Sequence, residues 1–312
     1  MTQKIPCLSI VIPVYNDQEV LQELYKRLKP VVDKLSENYE IILVDDGSKD
    51  NSWNEILRLS KLDENIVAVK LARNFGQSNA ITAGMDIARF EYIVIMDSDL
   101  QDPPEFIENL LNACISNDTD MAIAKRISRK DSFVKKKISS FFNSFVQKTT
   151  SMYVPQELGV FRVVKKEAFD KIRNIPEITG TTLSLMYWGG FDYVAVDMNR
   201  DARYAGKSGY TLSKMLSLAA ARIFSYSLWP LRLATSLGII IALISFILAA
   251  YYLLRYLTHG VSVAGWTTII VLMLFLFGVS FIIWGLIGEY IGRIYFETKK
   301  RPKYIVQKIK KY

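Results

Sequence analysis

An α/β domain with a mostly parallel sheet, followed by a hairpin of two membrane-spanning helices, is the fold the sequence predicts. Three observations predict it. Short β-branched runs alternate with helically spaced apolar residues up to about residue 125, the rhythm of a doubly wound domain. Most of those runs end in acidic turns. Beyond residue 230 the composition changes: roughly 25 mostly apolar residues from Leu233 to Leu257 and roughly 20 from Trp266 to Ile287 are each long enough to cross hydrocarbon.

The elements follow in order. Leu8 to Val14 reads as the first strand, ending at Pro13-Val14-Tyr15-Asn16-Asp17, after which Val20, Leu21, Leu24, Leu28, Val31 and Leu35 recur at helical spacing. Glu40 to Val44 is the second strand and runs into Asp45-Asp46-Gly47-Ser48-Lys49-Asp50, where Gly47 permits a tight turn and Ser48 or Asp50 caps the next helix. Ile66 to Leu71 is the third, leading through Arg73-Asn74-Phe75-Gly76-Gln77 into a helix that reaches about Ala88. The fourth is Tyr92 to Met96, and a fifth, Asp120 to Ala124, is followed by Lys125-Arg126 and Arg129.

The fourth strand stops abruptly at Asp97-Ser98-Asp99-Leu100-Gln101-Asp102-Pro103-Pro104. Asp97 and Asp99 lie two apart, so on an extended chain both carboxylates leave the same side of the strand's carboxyl end, where open α/β sheets place ligands. Two carboxylates so close repel unless a cation joins them, and Mg²⁺ or Mn²⁺, shared with substrate phosphates, suits them. An acidic loop capping a helix fits the same residues. Collected at one edge, the turns supply Tyr15, Asp17, Asp45, Asp46, Arg73, Asp97 and Asp99. The set suits a nucleotide: an aromatic face for a base, carboxylates for base N–H groups and ribose hydroxyls, and a metal for the diphosphate. Ordinary loop polarity is the alternative. No Walker lysine loop and no G-x-G-x-x-G follows any strand.

Composition excludes several classes. A 50% hydrophobic content and a mean hydropathy of +0.15 put part of the chain in a membrane. The net charge of +8 does not point to nucleic acid, because the basic residues cluster beside the spans, where anionic lipid is the nearer partner. Arg293, Lys299, Lys300, Arg301, Lys303, Lys308, Lys310 and Lys311 follow the second span, so the positive-inside rule puts the tail and the large N-terminal domain in the cytoplasm. The apolar run Leu8 to Val14 is too short for a signal peptide. Cys7 and Cys114 read as reduced core residues. The single histidine, His259, falls in the connection between the spans, which rules out Ser-His-Asp and Cys-His triads in the cytoplasmic domain.

Leu8-Ser9-Ile10-Val11-Ile12-Pro13-Val14-Tyr15-Asn16, Val44-Asp45-Asp46-Gly47-Ser48, Arg73-Asn74-Phe75-Gly76-Gln77 and the Asp97 to Pro104 run resemble the motifs of family 2 glycosyltransferases of the GT-A fold. In order and spacing they are most similar to polyprenyl-phosphate glycosyltransferases, the relatives of dolichyl-phosphate mannose synthase. Gly288-Glu289-Tyr290-Ile291-Gly292-Arg293-Ile294-Tyr295 and Arg301-Pro302 resemble bacterial members that transfer 4-deoxy-4-formamido-L-arabinose, or glucose in the prophage type. The resemblance implies a nucleotide-sugar donor, a UDP-sugar foremost, an undecaprenyl phosphate acceptor, Mg²⁺ or Mn²⁺, and in several relatives a homotetramer. It also implies roles. Pro13, Tyr15, Asp17, Asp45, Asp46, Arg73 and Gln77 would hold the nucleotide, and Asp97 and Asp99 the metal and diphosphate, with Asp99 and Glu157 catalytic. Arg126, Arg129, Arg203 and Lys207 would meet the acceptor phosphate or diphosphate. Two departures stand out. Glu157-Leu158-Gly159 occupies the place of Asp-Tyr-Gly or Asp-Thr-Gly, so the acceptor-side carboxylate is one methylene longer, and in Gly206-Lys207-Ser208-Gly209-Tyr210 the lysine is displaced by two positions.

Phe133, Ile138, Phe141, Phe142 and Phe145 against Lys135, Lys136, Lys137 and Lys148 make 131–150 an amphipathic helix suited to the lipid interface, or to a core with a basic outer face. Residues 211–230 make a second. The expected organisation is a GT-A domain over 1–210, the juxtamembrane helix over 211–230, the transmembrane pair within 231–290 and a basic cytoplasmic tail over 291–312. The expected protein is a bacterial inner-membrane transferase that moves one sugar from a nucleotide to undecaprenyl phosphate. A processive polysaccharide synthase is the rival enzyme, but that class carries Gln-x-x-Arg-Trp, and none of the five tryptophans follows an arginine. A non-catalytic nucleotide-sugar-binding scaffold is the rival from another class.

Overall fold

The computed structural model describes residues 5–126, 158–175, 181–199, 229–259 and 265–311. They fall into two units, one holding the described residues up to 199 together with 301–311, the other 229–259 and 265–300.

The first unit is built on one sheet. Its opening elements are β1 (Ile5–Val14), α1 (Leu21–Leu35), β2 (Ser36–Asp45), α2 (Ser52–Leu62), β3 (Ile66–Leu71), α3 (Gln77–Ile87) and β4 (Tyr92–Ile95). A single 3₁₀ turn, Pro104–Phe106, then leads into α4 (Ile107–Ser116) and β5 (Met121–Arg126). After it come β6 (Leu158–Lys165), α5 (Lys166–Ile172), α6 (Thr182–Trp188), β7 (Tyr193–Met198) and, at the far end of the chain, β8 (Val306–Lys310). The strand order is β7-β5-β6-β4-β1-β2-β3-β8. β1 pairs in parallel with both β2 and β4, β2 with β3, and β5 with β7, whereas β6 and β8 run antiparallel to their neighbours.

Apolar periodicity decides which helix covers which face. Leu21, Leu24, Leu28, Val32 and Leu35 form one stripe of α1 and are buried, and with Ile56 and Leu59 of α2 and Ile107, Leu110 and Leu111 of α4 they cover the face carrying Leu8, Ile10 and Ile12. Ala80, Ile81 and Met85 of α3, Phe169 and Ile172 of α5, and Leu185 and Met186 of α6 cover the face carrying Val11, Ile42, Ile93 and Ile95. Both faces being covered, β1 to β4 read as continuous apolar runs. On α3, Gly84 lies so close to the sheet that a Cβ there would meet Val11 Cγ1 at 2.3 Å and Val44 Cγ2 at 3.1 Å.

Because β2 and β4 flank β1 on opposite sides, their connections diverge and leave a crevice at the carboxyl ends of β1, β2 and β4. The fifth strand continues through Lys125 and Arg126, which the sequence reading placed beyond it. The segment 291–312, expected as a basic tail, is ordered differently: the helix of the second span continues to Thr298, and Val306–Lys310 closes the sheet against β3. Lysines alternating along a two-sided, exposed edge strand conceal it in the sequence. Ala72 N donates to Ile305 O at 2.9 Å and Tyr304 Oη to Asp86 Oδ2 at 2.6 Å, fixing this return.

The second unit contains α7 (Trp229–His259) and α8 (Trp266–Thr298), both long and apolar enough to cross a membrane. Phe246, Phe281, Ile282 and Trp284 are exposed along them, which suits lipid rather than water. His259 closes α7. The amphipathic segment expected at 131–150 lies outside the described residues, and so does the one expected at 211–230 except for Trp229 and Pro230, which open α7.

Candidate active site

Three loops at the crevice are stitched together through side chains that end in oxygen. After β1 the chain turns through Asn16, which has φ of 54°, a conformation asparagine tolerates better than most residues. Asn16 N donates to Ser48 Oγ at 3.0 Å, and Lys49 N to Asn16 Oδ1 at 2.8 Å, tying the β1 loop to the β2 loop. Asp17 N donates to Ser52 Oγ at 3.0 Å, and Ser98 Oγ donates to Asp17 Oδ2 at 2.6 Å, which brings in the β4 loop.

Asp17 is pushed above its ordinary pKa. Burial is the largest cause; hydrogen bonds from Ser98 and the Tyr15 amide oppose it, and the negative charges of Asp99 and Asp50 add to it. Tyr15, next to it, is exposed at the mouth of the crevice, while Pro13 is buried within β1 opposite Val44.

Asp45 and Asp46, at the end of β2, are both buried and do different things. Asp46 grips the β3–α3 loop: Phe75 N donates to Oδ1 at 2.7 Å and Gly76 N to Oδ2 at 2.9 Å. Burial raises its pKa, those two amides and Arg73 pull it down, and Asp45 pushes it up. Asp45 Oδ1 accepts from Ser48 N at 3.1 Å, but Oδ2 has no hydrogen-bond donor and only Lys70 Nζ at 4.0 Å. A buried carboxylate oxygen with spare capacity can accept an N–H or hydroxyl from a ligand. Gly47, with φ of 67°, lets this loop approach Arg73 so closely that a Cβ would fall 2.5 Å from Arg73 C.

Asp97 and Asp99 leave the end of β4 half-buried. Gln77 Nε2, at the start of α3, donates to Asp97 Oδ1 at 2.6 Å, and Gln101 N donates to Asp99 Oδ1 at 3.1 Å. Among the described residues no group of three or more His, Cys, Asp or Glu could hold a metal. Two carboxylates at a sheet edge nevertheless fit a hard divalent ion that takes its remaining oxygens from water and substrate phosphates, the usual habit of Mg²⁺. Arg73 is exposed with its guanidinium 4.3 Å from the Phe75 ring centroid.

The structure thus brings Tyr15, Asp17, Asp45, Asp46, Arg73, Gln77, Asp97 and Asp99 to one edge. Arg126 ends β5, and Glu157, Arg129, Arg203 and Lys207 lie outside the described residues. Sequence reasoning passed over Ser98, whose hydroxyl joins two loops; only its place inside D-S-D marked it.

A mostly parallel sheet with helices on both faces and an acidic carboxyl edge is the architecture of the GT-A glycosyltransferases. The model of glycosyl transferase family 2 matches residues 9–173, and the chain belongs to that family. It is 40% identical over 301 residues to the uncharacterized glycosyltransferase YkcC of Bacillus subtilis, covering 96% of this chain and 93% of the relative. A prophage bactoprenol glucosyl transferase homolog of Escherichia coli is 35% identical over 305 residues, covering 97% and 99%. The bactoprenol glucosyl transferase of Shigella phage SfII is 35% identical over 302 residues, covering 96% and 97%. Among solved structures, glucosyl-3-phosphoglycerate synthase of Mycobacterium tuberculosis, in complex with Mn²⁺, UDP-glucose and phosphoglyceric acid, shares the fold: TM-score 0.50, 13% identity, 70% of this chain and 79% of that one.

Proposed function

We propose that this glycosyltransferase moves a single sugar from a nucleotide-sugar donor, a UDP-sugar foremost, to a polyprenyl phosphate at the cytoplasmic face of a bacterial membrane. The observation that carries the reading is the convergence of Asp17, Asp45, Asp46, Asp97 and Asp99 on one sheet edge in a chain that also holds two apolar helices. Relatives bearing the name bactoprenol glucosyl transferase along their whole length support the acceptor.

The residues divide the work. Asp45 Oδ2, which has no hydrogen-bond partner, and Tyr15 would receive base and ribose, while Asp46 fixes the loop that carries Arg73. Asp97 and Asp99 would hold the divalent ion, which when bound offsets the charge of the departing nucleoside diphosphate. An acceptor phosphate oxygen bonds to the anomeric carbon as the bond from that carbon to the donor phosphate breaks, with inversion. The acceptor has its second pKa near 6, so at neutral pH it is already mostly dianionic and needs no strong base. Glu157 is accordingly assigned to positioning rather than proton removal.

Chain topology supports the side of the membrane. The chain leaves the sheet unit before α7 and re-enters it as β8 after α8, so if both helices cross, two crossings return it to the side it left. The basic residues after α8 favour the cytoplasm for that side.

The test is a panel of radiolabelled sugar nucleotides incubated with membranes containing the chain and undecaprenyl phosphate. Label in the organic-soluble fraction that requires both the lipid and a divalent metal supports the reading; label that stays with water-soluble sugar for every donor contradicts it.

A further inference from the structure

Among the described residues of the first unit, one buried cation has no carboxylate beside it. Arg162 on β6 is 4% exposed, and burial holds its guanidinium below the usual arginine pKa range. Nε donates to Val160 O at 3.2 Å and Nη2 to Gly159 O at 2.7 Å, yet Nη1 has no hydrogen-bond partner. The guanidinium lies 5.7 Å from the ring centroid of Tyr187 on α6, whose buried hydroxyl is near enough to pull the arginine's pKa back up yet makes no hydrogen bond of ordinary geometry. Enclosing a charge with no counter-charge is costly, and an uncommitted N–H and O–H side by side are rarely kept in a core.

Register puts this pair beside the acidic edge. Arg162 stands opposite Ile95 of β4, and continuing the antiparallel register by two residues brings Val160 level with Asp97. The guanidinium reaches back along β6 toward that end, since its acceptors are the carbonyls of residues 159 and 160. Those residues form a bulge: Ile123 faces Arg162 and Lys125 faces Leu158, so β6 spends two more residues than β5 over the same stretch. Bulges of this kind re-aim side chains beside active sites.

We propose that Arg162 Nη1 and the Tyr187 hydroxyl form a phosphoryl-binding pair at the inner end of the crevice, donating to one phosphoryl oxygen of a bound substrate. The proposal rests on the functional reading above and adds to it a cation and a hydroxyl that none of the loop motifs contains. A phosphoryl group supplies what the pair lacks, a negative oxygen with several lone pairs, and a planar guanidinium is suited to it. Both atoms are enclosed by protein, and the bulge at residues 159–161, where the ladder to β5 is broken, is the place where such an oxygen enters. The donor diphosphate and the lipid phosphate share this chemistry.

The experiment measures binding and melting of the full-length chain in detergent, with UDP standing for the donor side and geranyl phosphate for the acceptor side. Tyr187→Phe removes a hydroxyl whose one polar neighbour is the Arg162 guanidinium and which makes no hydrogen bond of ordinary geometry, so it should melt close to the wild type while binding one of the probes at least about tenfold more weakly. Arg162→Lys keeps the charge but cannot both hold the two carbonyls and reach a ligand, so it should weaken the same probe. Loss confined to UDP assigns the pair to the donor diphosphate, and loss confined to geranyl phosphate assigns it to the acceptor. Unchanged affinity of both variants for both probes, whatever their melting temperatures, overturns the proposal. A wild-type chain that binds neither probe overturns the functional reading itself, and this proposal with it.

Discussion

Replacing Asp46 with asparagine tests whether the β2 and β3 loops are held as described. In the wild type both carboxylate oxygens accept backbone N–H groups, Phe75 N at 2.7 Å and Gly76 N at 2.9 Å, inside a buried site. An asparagine can accept only one of them. Its NH₂ must then face the other N–H, so one charge-assisted bond is lost and one buried donor is stranded. The bond is worth about 1.5–3 kcal/mol and the stranded donor about 1–3 kcal/mol. Against this, the amide avoids burying a charge, a cost visible in the raised pKa of Asp46. A net loss of about 2–3 kcal/mol is expected, together with weaker UDP binding because the loop carrying Arg73 loosens. Thermal unfolding of the detergent-solubilised chain, followed by tryptophan fluorescence with and without UDP, reads both. An Asp46→Asn chain that melts and binds like the wild type would show that the two amide bonds do not hold the loop.

Four further outcomes are expected. Asp17→Asn should gain stability relative to wild type at pH 7 more than at pH 4: with a folded pKa above the unfolded one, the Asp17 contribution is full below the unfolded value and is lost as pH rises through the folded one, so equal differences at both pH values would contradict the assignment. Gly84→Ala should cost about 1–3 kcal/mol by forcing a methyl into Val11 and Val44, and an unchanged denaturation midpoint would mean that α3 can lift off at no cost. Truncation after Lys300 removes β8 and the Tyr304–Asp86 bond, and should lower the melting temperature and promote aggregation through the bared β3 edge; a monodisperse truncated chain of wild-type stability would refute this. Asp99→Asn should abolish metal-dependent transfer without lowering the melting temperature, and wild-type turnover, or full wild-type activity in excess chelator, would show that no metal is held there.

Much of this was legible in the sequence for a physical reason. Strands β1 to β4 are covered on both faces, so their apolar runs are unbroken and end abruptly where the acidic loops begin, which located Asp17, Asp45, Asp46, Asp97 and Asp99 without a structure. The partners of those carboxylates were not legible. Asp46 meets amides 29 and 30 residues away, and Ser98 meets Asp17 across 81 residues, distances over which no local pattern carries information. Strand β6 escaped notice because it opens in a bulge and holds a buried arginine, which breaks the apolar run. Strand β8 reads as a tail because an edge strand with lysines on exposed positions looks like a basic, solvated segment.

Mass spectrometry of the lipid product distinguishes single-sugar transfer to a lipid phosphate from every alternative. The purified chain, in vesicles containing undecaprenyl phosphate, is given UDP-sugar and Mn²⁺, and released UDP is counted against product. One product is expected, undecaprenyl phosphate plus one sugar residue, formed one for one with UDP and absent with Asp99→Asn. A ladder of products carrying several sugars, or UDP released with free sugar and no glycosylated lipid, would contradict it.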